Sequence, residues 1–169
     1  IYDYLKLLFA RIGRTISPIS GNEVQKHSVE DVVNYIVGLP TETKLMILAP
    51  LILDDGRGLY QQLEILMKQG FSRVEENGEI KRIQDILEAE KENCQGCPYS
   101  ILIDRISLSH MDEDLEARLA DSIQTAFYEG KGECYLKIFD QNNNTTEVAF
   151  NDRFELDDIQ FELPTVHLF

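Results

Sequence analysis

The run Ser100-Ile101-Leu102-Ile103-Asp104-Arg105-Ile106-Ser107-Leu108-Ser109 passes directly into His110-Met111-Asp112-Glu113-Asp114-Leu115-Glu116. The change of pattern between the two marks a strand passing into a helix. The first part is β-branched and apolar-rich, long enough for one strand and too short for a typical helix. Ile101, Ile103 and Leu108 are its candidates for burial, with Asp104 and Arg105 interrupting the run. The second part changes period: Leu115, Leu119, Ser122/Ile123 and Ala126/Phe127 fall on one helical stripe. Asp112, Glu113 and Asp114 stand where carboxylates oppose the positive end of the helix dipole. Gly130 is a natural stop. A strand feeding an amphipathic helix is the core of a layered unit, against which the other segments must pack.

At the other end of the chain, Ile1, Tyr4, Leu5, Leu8, Phe9 and Ile12 trace one face of an opening helix that ends near Gly13. Val29, Val32, Val33, Ile36 and Val37 give a second helix, closed by Gly38 and Pro40. Lys44 to Leu53 reads as a strong strand, and Leu59, Leu63, Leu66 and Met67 as a third helix ended by Gly70. Phe71 to Glu75 and Glu79 to Arg82 form a hairpin around Asn77-Gly78. Ile83 to Lys91 is a charged helical turn or loop. Downstream, Glu133 to Phe139 and Thr146 to Asn151 are strands joined by a polar turn at 141–144. The tail from Arg153 to Phe169 has no clear period. The expected fold is therefore α+β, a mostly antiparallel sheet with helices packed on one face. Residues 1–21 and 151–169 read as short flanking segments of a neighbouring domain into which 22–150 is inserted. Because Ile1 already lies in a mid-helix pattern, the sequence reads as a piece of a longer protein.

The formal net charge is −14 over 169 residues. Nucleic-acid binding draws affinity from Lys and Arg neutralising phosphates, and no basic cluster is present, so direct DNA binding by this chain is not expected. No apolar run approaches the ~20 residues of a membrane span. Three cysteines, an odd number, argue against a disulfide scaffold and fit a reducing cytoplasm.

Few motifs point to chemistry. Cys94-Gln95-Gly96-Cys97 has the spacing of half a zinc site, but a structural zinc needs about four ligands and no second pair exists. Gly56-Arg57-Gly58 lacks the Lys-Ser/Thr ending of a phosphate loop. No nucleophile, histidine and acid stand at a recognisable spacing, so no catalytic residue is expected. Arg73 and Arg105 stand out as arginines within strands. On a sheet surface each can fork onto a partner carboxylate or sit in an ordinary exposed ion pair.

Several segments together resemble the UvrA family, the damage-recognition ATPases of the excinuclease ABC system in bacterial nucleotide excision repair. Ile1-Tyr2-Asp3-Tyr4-Leu5-Lys6-Leu7-Leu8-Phe9-Ala10-Arg11-Ile12-Gly13 resembles the segment before that family's inserted UvrB-binding domain. Leu48-Ala49-Pro50, Gly70-Phe71-x-Arg73-Val74, Asn77-Gly78-Glu79, Ile103-Asp104-Arg105 and Arg118 to Ala126 recur there in this order. Leu163 to Phe169 resembles the return to the ATPase body. The resemblance implies a protein-interaction domain that recruits and loads the UvrB helicase; a DNA-contacting accessory domain of the same ATPase is the alternative. It implies ATP sites and a homodimer interface elsewhere in the parent, with no enzyme activity here. It also implies partner contacts at Arg73 and Arg105, with Asp104 orienting Arg105. Where relatives carry paired metal-ligating cysteines, this chain reads Ser17-Pro18-Ile19-Ser20 and has no cysteine in 152–161. Serine is a poor zinc ligand. The expectation is a metal-free site packed by Ile16, Ile19, Phe154 and Ile159.

Overall fold

The computed structural model describes residues 1–12, 14–19, 21, 23–53, 56–89, 99–109, 112–140, 144–153, 155–156 and 159–160. The expected helix end at Gly13, the Cys94/Cys97 pair and the segment 163–169 lie outside them. The chain divides into two compact units, one of residues 1–28 with 151–169 and one of residues 29–150.

The larger unit is α+β. Its sheet contains β1 (Lys44–Pro50), β2 (Arg73–Glu76), β3 (Glu79–Arg82), β4 (Ser100–Ser107), β5 (Glu133–Phe139) and β6 (Thr145–Asn151), in the order β3-β2-β4-β1-β5-β6. β4 and β1 are central, and β1 runs antiparallel to both β4 and β5. The hairpin turns at Asn77-Gly78, both at positive φ of 51° and 92°, which matches the strand twist. Helices α2 (Val29–Val37), α3 (Leu59–Gln69), α4 (Ile83–Glu88) and α5 (Glu113–Glu129) accompany the sheet. α5 begins where the Asp112 carboxylate accepts the Leu115 N–H at 2.8 Å, as an N-cap should. α3 ends at Gly70, whose φ of 103° lets the Phe71 N–H reach back to the Leu66 carbonyl.

The helices share one core with one side of the sheet. Val32, Val33 and Ile36 of α2, Leu63 and Leu66 of α3, Ile83 of α4 and Leu119, Ile123, Ala126 and Phe127 of α5 pack with Leu45, Ile47, Ala49, Val74, Ile101, Ile106, Leu136 and Ile138. Alternation then places Met46 and Leu48 of β1, and the residues registered with them, on the opposite face.

The register of β4 is interrupted. Ile47 pairs with Asp104 but Leu48 pairs with Leu102, so Ile103 is an extra residue in a β-bulge. Before the bulge Ile101 faces the helices and Leu102 faces away. After it Asp104 and Ile106 face the helices and Arg105 faces away. Strict alternation from Ile101 would have turned Arg105 into the core.

The smaller unit holds α1 (Tyr2–Ile12) and a short ribbon of β7 (Glu155–Leu156) with β8 (Ile159–Gln160). The ribbon was not legible in the tail because two-residue strands carry no period. Ser17 is buried and its hydroxyl accepts the Ile19 N–H at 3.2 Å, shaping a turn closed by the Gly21 N–H on the Ser17 carbonyl. Ile16 and Ile19 are 57% and 68% exposed, so they do not supply the expected apolar packing. A hydrogen-bonded turn organises this stretch instead. Phe154 and the side chain of Ile159 lie outside the described residues.

Candidate functional site

The face turned away from the helices carries the expected arginines. In β2, Val74 is fully buried in the core, so Arg73 and Glu75 on either side of it point to the open face. In β4 the bulge delivers Arg105 to the same face, level with Met46 and Lys137 on the neighbouring strands. Both arginines are exposed. Neither forms an ion pair with the described residues.

Asp104 meets Arg105 through the main chain and not through the guanidinium. It lies on the helix side, and its carboxylate accepts from Arg118 twice: Nη2 donates to Oδ1 at 2.7 Å and Nε to Oδ2 at 2.9 Å. Ser122 Oγ adds a bond to Oδ2 at 3.0 Å, and the Arg105 main-chain N–H donates to Oδ1 at 2.7 Å. Asp104 therefore fixes the backbone of Arg105, while its charge is matched by Arg118 rather than by the Arg105 guanidinium. Burial works to raise the Asp104 pKa. The bonds from Arg118, the Arg105 amide and Ser122, with the Arg118 charge, outweigh it and hold the carboxyl below the usual range.

The open face is divided in charge. Glu75 and Glu133 lie toward one end, and Glu147 stands beside Lys137, at the level of Arg105; all three have partners: Lys137 Nζ donates to Glu75 at 2.9 Å and lies 3.7 Å from Glu147, and the Tyr135 hydroxyl donates to Glu133 at 2.7 Å. Burial and the neighbouring carboxylates push the Tyr135 hydroxyl up to about 12. Glu75 and Lys137 stand on β2 and β5, with β4 and β1 between them, so their ion pair crosses over Leu102 and Leu48. Those leucines are 8% and 1% exposed, on the side of the sheet opposite the helices of the described residues. Toward the other end lie Lys44, Arg73, Arg82 and Arg105. Lys44, Met46, Arg105, Ser107 and Phe139 line a pocket of about 320 Å³.

Arg82 and Lys44 escaped the sequence reading. The signal for Arg82 was present: a two-residue turn at Asn77-Gly78 requires Arg73 to stand opposite Arg82, and it does. Lys44 gave no signal beyond its place at the start of a strand. Among the described residues no group of three or more His, Cys, Asp or Glu is placed to hold a metal ion, and no helix is long and apolar enough to cross a membrane.

Residues 27–140 match the family model described as the UvrA interaction domain. The UvrABC system protein A of Bacillus subtilis is 36% identical over 138 residues, covering 82% of this chain and 14% of the relative. That of Halalkalibacterium halodurans is 34% identical over 164 residues, 97% of this chain and 16% of the relative. That of Rickettsia prowazekii is 31% identical over 173 aligned positions, 98% of this chain and 18% of the relative. The chain thus spans less than a fifth of the length of these relatives.

Proposed function

The chain belongs to the UvrA interaction domain family, and on that premise we propose that it docks the UvrB helicase through the cationic end of its open sheet face. The observation that carries this reading is the placement of Arg73 and Arg105. Two strands bring them to one end of one face, exposed and with no carboxylate of the described residues paired to them. A bulge and a buried-side carboxylate hold one of them there. Guanidinium groups kept from internal ion pairs on a stiff sheet suit forked recognition of carboxylates on a partner. A stable interface of this kind buries roughly 1,200–2,000 Å² in total, and its charges set register and on-rate more than raw affinity.

In this reading residues 22–150 are the docking domain and the flanks belong to the body of a longer ATPase, whose nucleotide sites and dimer contacts lie outside this chain. We assign the domain no catalytic residue, no resident metal or cofactor, no membrane contact and no direct grip on DNA, and place its work in the cytoplasm. The test is a titration of UvrB against the chain and its R73E/R105E variant at two salt concentrations. Binding that weakens with salt and is lost in the variant is the expected result. Equal binding by both proteins, or none by the unaltered chain, refutes it.

A further inference from the structure

We propose that Arg73 and Arg82 act together as one carboxylate clamp, the seat for an acidic segment of the docking partner. The inference rests on the docking reading above and adds a residue and a partner chemistry to it. Three observations lead there.

First, the hairpin register sets Arg73 directly opposite Arg82. Directly opposed residues hold their Cβ atoms about 5 Å apart, and like charges so placed destabilise a sheet. Second, the nearby carboxylates of the same hairpin are committed elsewhere. Glu75 accepts from Lys137 and from the Gly78 N–H, and Glu76 pairs with Lys81. The register therefore sets two arginines directly opposite each other, and neither forms an ion pair with a carboxylate of the described residues. Third, both arginines line a pocket of about 260 Å³ at the edge of the hairpin, where the sheet meets the ends of α3 and α4; its other walls include Met67 of α3, Phe71, Ser72 and Gln84 of α4. The left-handed turn at Gly70 leads the chain through Phe71 and Ser72 to Arg73 at the start of β2.

These walls select the occupant. Paired guanidinium forks match the two oxygens of a carboxylate in plane. Ser72 and Gln84 offer further polar groups, while the half-exposed Met67 and the partly buried Phe71 offer an apolar wall to the residue beside the acid. The fitting segment carries Asp or Glu next to an aliphatic or aromatic side chain. Charge complementarity is local: the chain as a whole is acidic, but this end of the face is cationic.

The experiment compares the chain with R82Q, R73Q, R82K and R73Q/R82Q, measuring UvrB affinity and the melting temperature of each free protein. R82Q is expected to weaken UvrB binding about tenfold, and to raise the melting temperature by about 1–3 °C because an opposed like-charge pair is relieved. R82K should fall between R82Q and the unaltered chain, keeping the charge but not the fork. The double variant should lose less than the product of the single losses, because both groups hold one carboxylate. A loss of affinity with a matching fall in melting temperature makes Arg82 merely structural and overturns the clamp. Unchanged affinity in R82Q, with binding still lost in R73E/R105E, overturns the clamp and leaves the docking reading standing. Absence of UvrB binding by the unaltered chain overturns both. A short DNA duplex that binds the chain and depends on Arg73 and Arg82 would assign the seat to phosphate and overturn the acidic-segment proposal.

Discussion

Substituting Asp104→Asn should destabilise the larger unit by about 2–3 kcal/mol at neutral pH. The asparagine keeps the shape but replaces one acceptor oxygen with an amide that meets donors already aimed at it. Every carboxylate oxygen here receives two bonds, from Arg118 and the Arg105 amide on one side and from Arg118 and Ser122 on the other. The Arg118 side chain is 57% exposed, so the ionic part is screened and worth ~1 kcal/mol or less. Disturbing the bonds from the nearly buried Ser122 and from a strand amide adds about 1 kcal/mol each. For a unit of about 120 residues the unfolding entropy is ~0.25 kcal/mol per kelvin, so the melting temperature should fall by about 8–12 °C. The loss should depend on pH in a set direction. Because the folded pKa of Asp104 lies below its ordinary value, its contribution is complete above that value and disappears as pH falls through the lower, folded one. Thermal melts of both proteins between pH 7 and pH 2.5 should show a gap that stays constant down to about pH 4 and then closes. A gap of the same size at pH 7 and pH 2.5, or one below about 2 °C at pH 7, would refute the assignment of the charge to this cluster.

Lys137→Met should cost about 3 kcal/mol by leaving Glu75 nearly buried without its cation, and E75Q/K137M should recover most of that in urea unfolding. Equal losses in the single and double variants would show that the pair is not coupled. Gly130→Ala should destabilise more than Gly70→Ala, although only Gly70 has a positive φ. A Cβ at Gly130 would lie 2.1 Å from the Glu133 carbonyl oxygen and 2.8 Å from Pro50 Cδ, whereas one at Gly70 meets nothing within 4 Å and costs only backbone strain of ~1–2 kcal/mol. The reverse order in thermal melts would contradict this packing. In a C94S/C97S background, Cys134 should resist alkylation at pH 8.5 until the protein unfolds, since burial pushes its thiol up to about 12; rapid labelling of the native protein would show otherwise.

Most of the fold was legible because its elements bury one stripe or one face. The stripe Leu119, Ser122/Ile123, Ala126/Phe127 is the buried face of α5, and Val32, Val33 and Ile36 that of α2. Asn77-Gly78 marks a two-residue hairpin, so β2 and β3 were legible as partners, although β2 runs Arg73–Glu76 and not from Phe71, and their register was not drawn from it. Gly130 was legible as a helix end but for the wrong cause. Its φ is −82°, and the left-handed residues that turn the chain are Lys131 and Gly132, so crowding by the next strand is what excludes a side chain there.

The candidate arginines stand out in the sequence but their placement on the sheet does not, and the bulge explains why. Alternation counts positions, and a bulge adds one that alternation cannot see. Counted strictly, Ile101, Ile103 and Arg105 share a face, which buries Arg105 and separates it from Arg73 in function. The extra residue at Ile103 reverses the parity for the rest of β4, sending Asp104 to the helices and Arg105 to the open face. The segment from Arg118 to Ala126 matched the family by resemblance alone, with no role attached to its polar positions. In the structure Arg118 and Ser122 are the groups that receive Asp104 on the helix side. The same carboxylate that faces α5 accepts the Arg105 amide. Slipping β4 back into strict alternation would leave Arg118 and Ser122 without their acceptor and carry a guanidinium into an apolar core, each at a cost in free energy. The polar residues of α5 thereby help hold Arg105 on the face turned away from the helices.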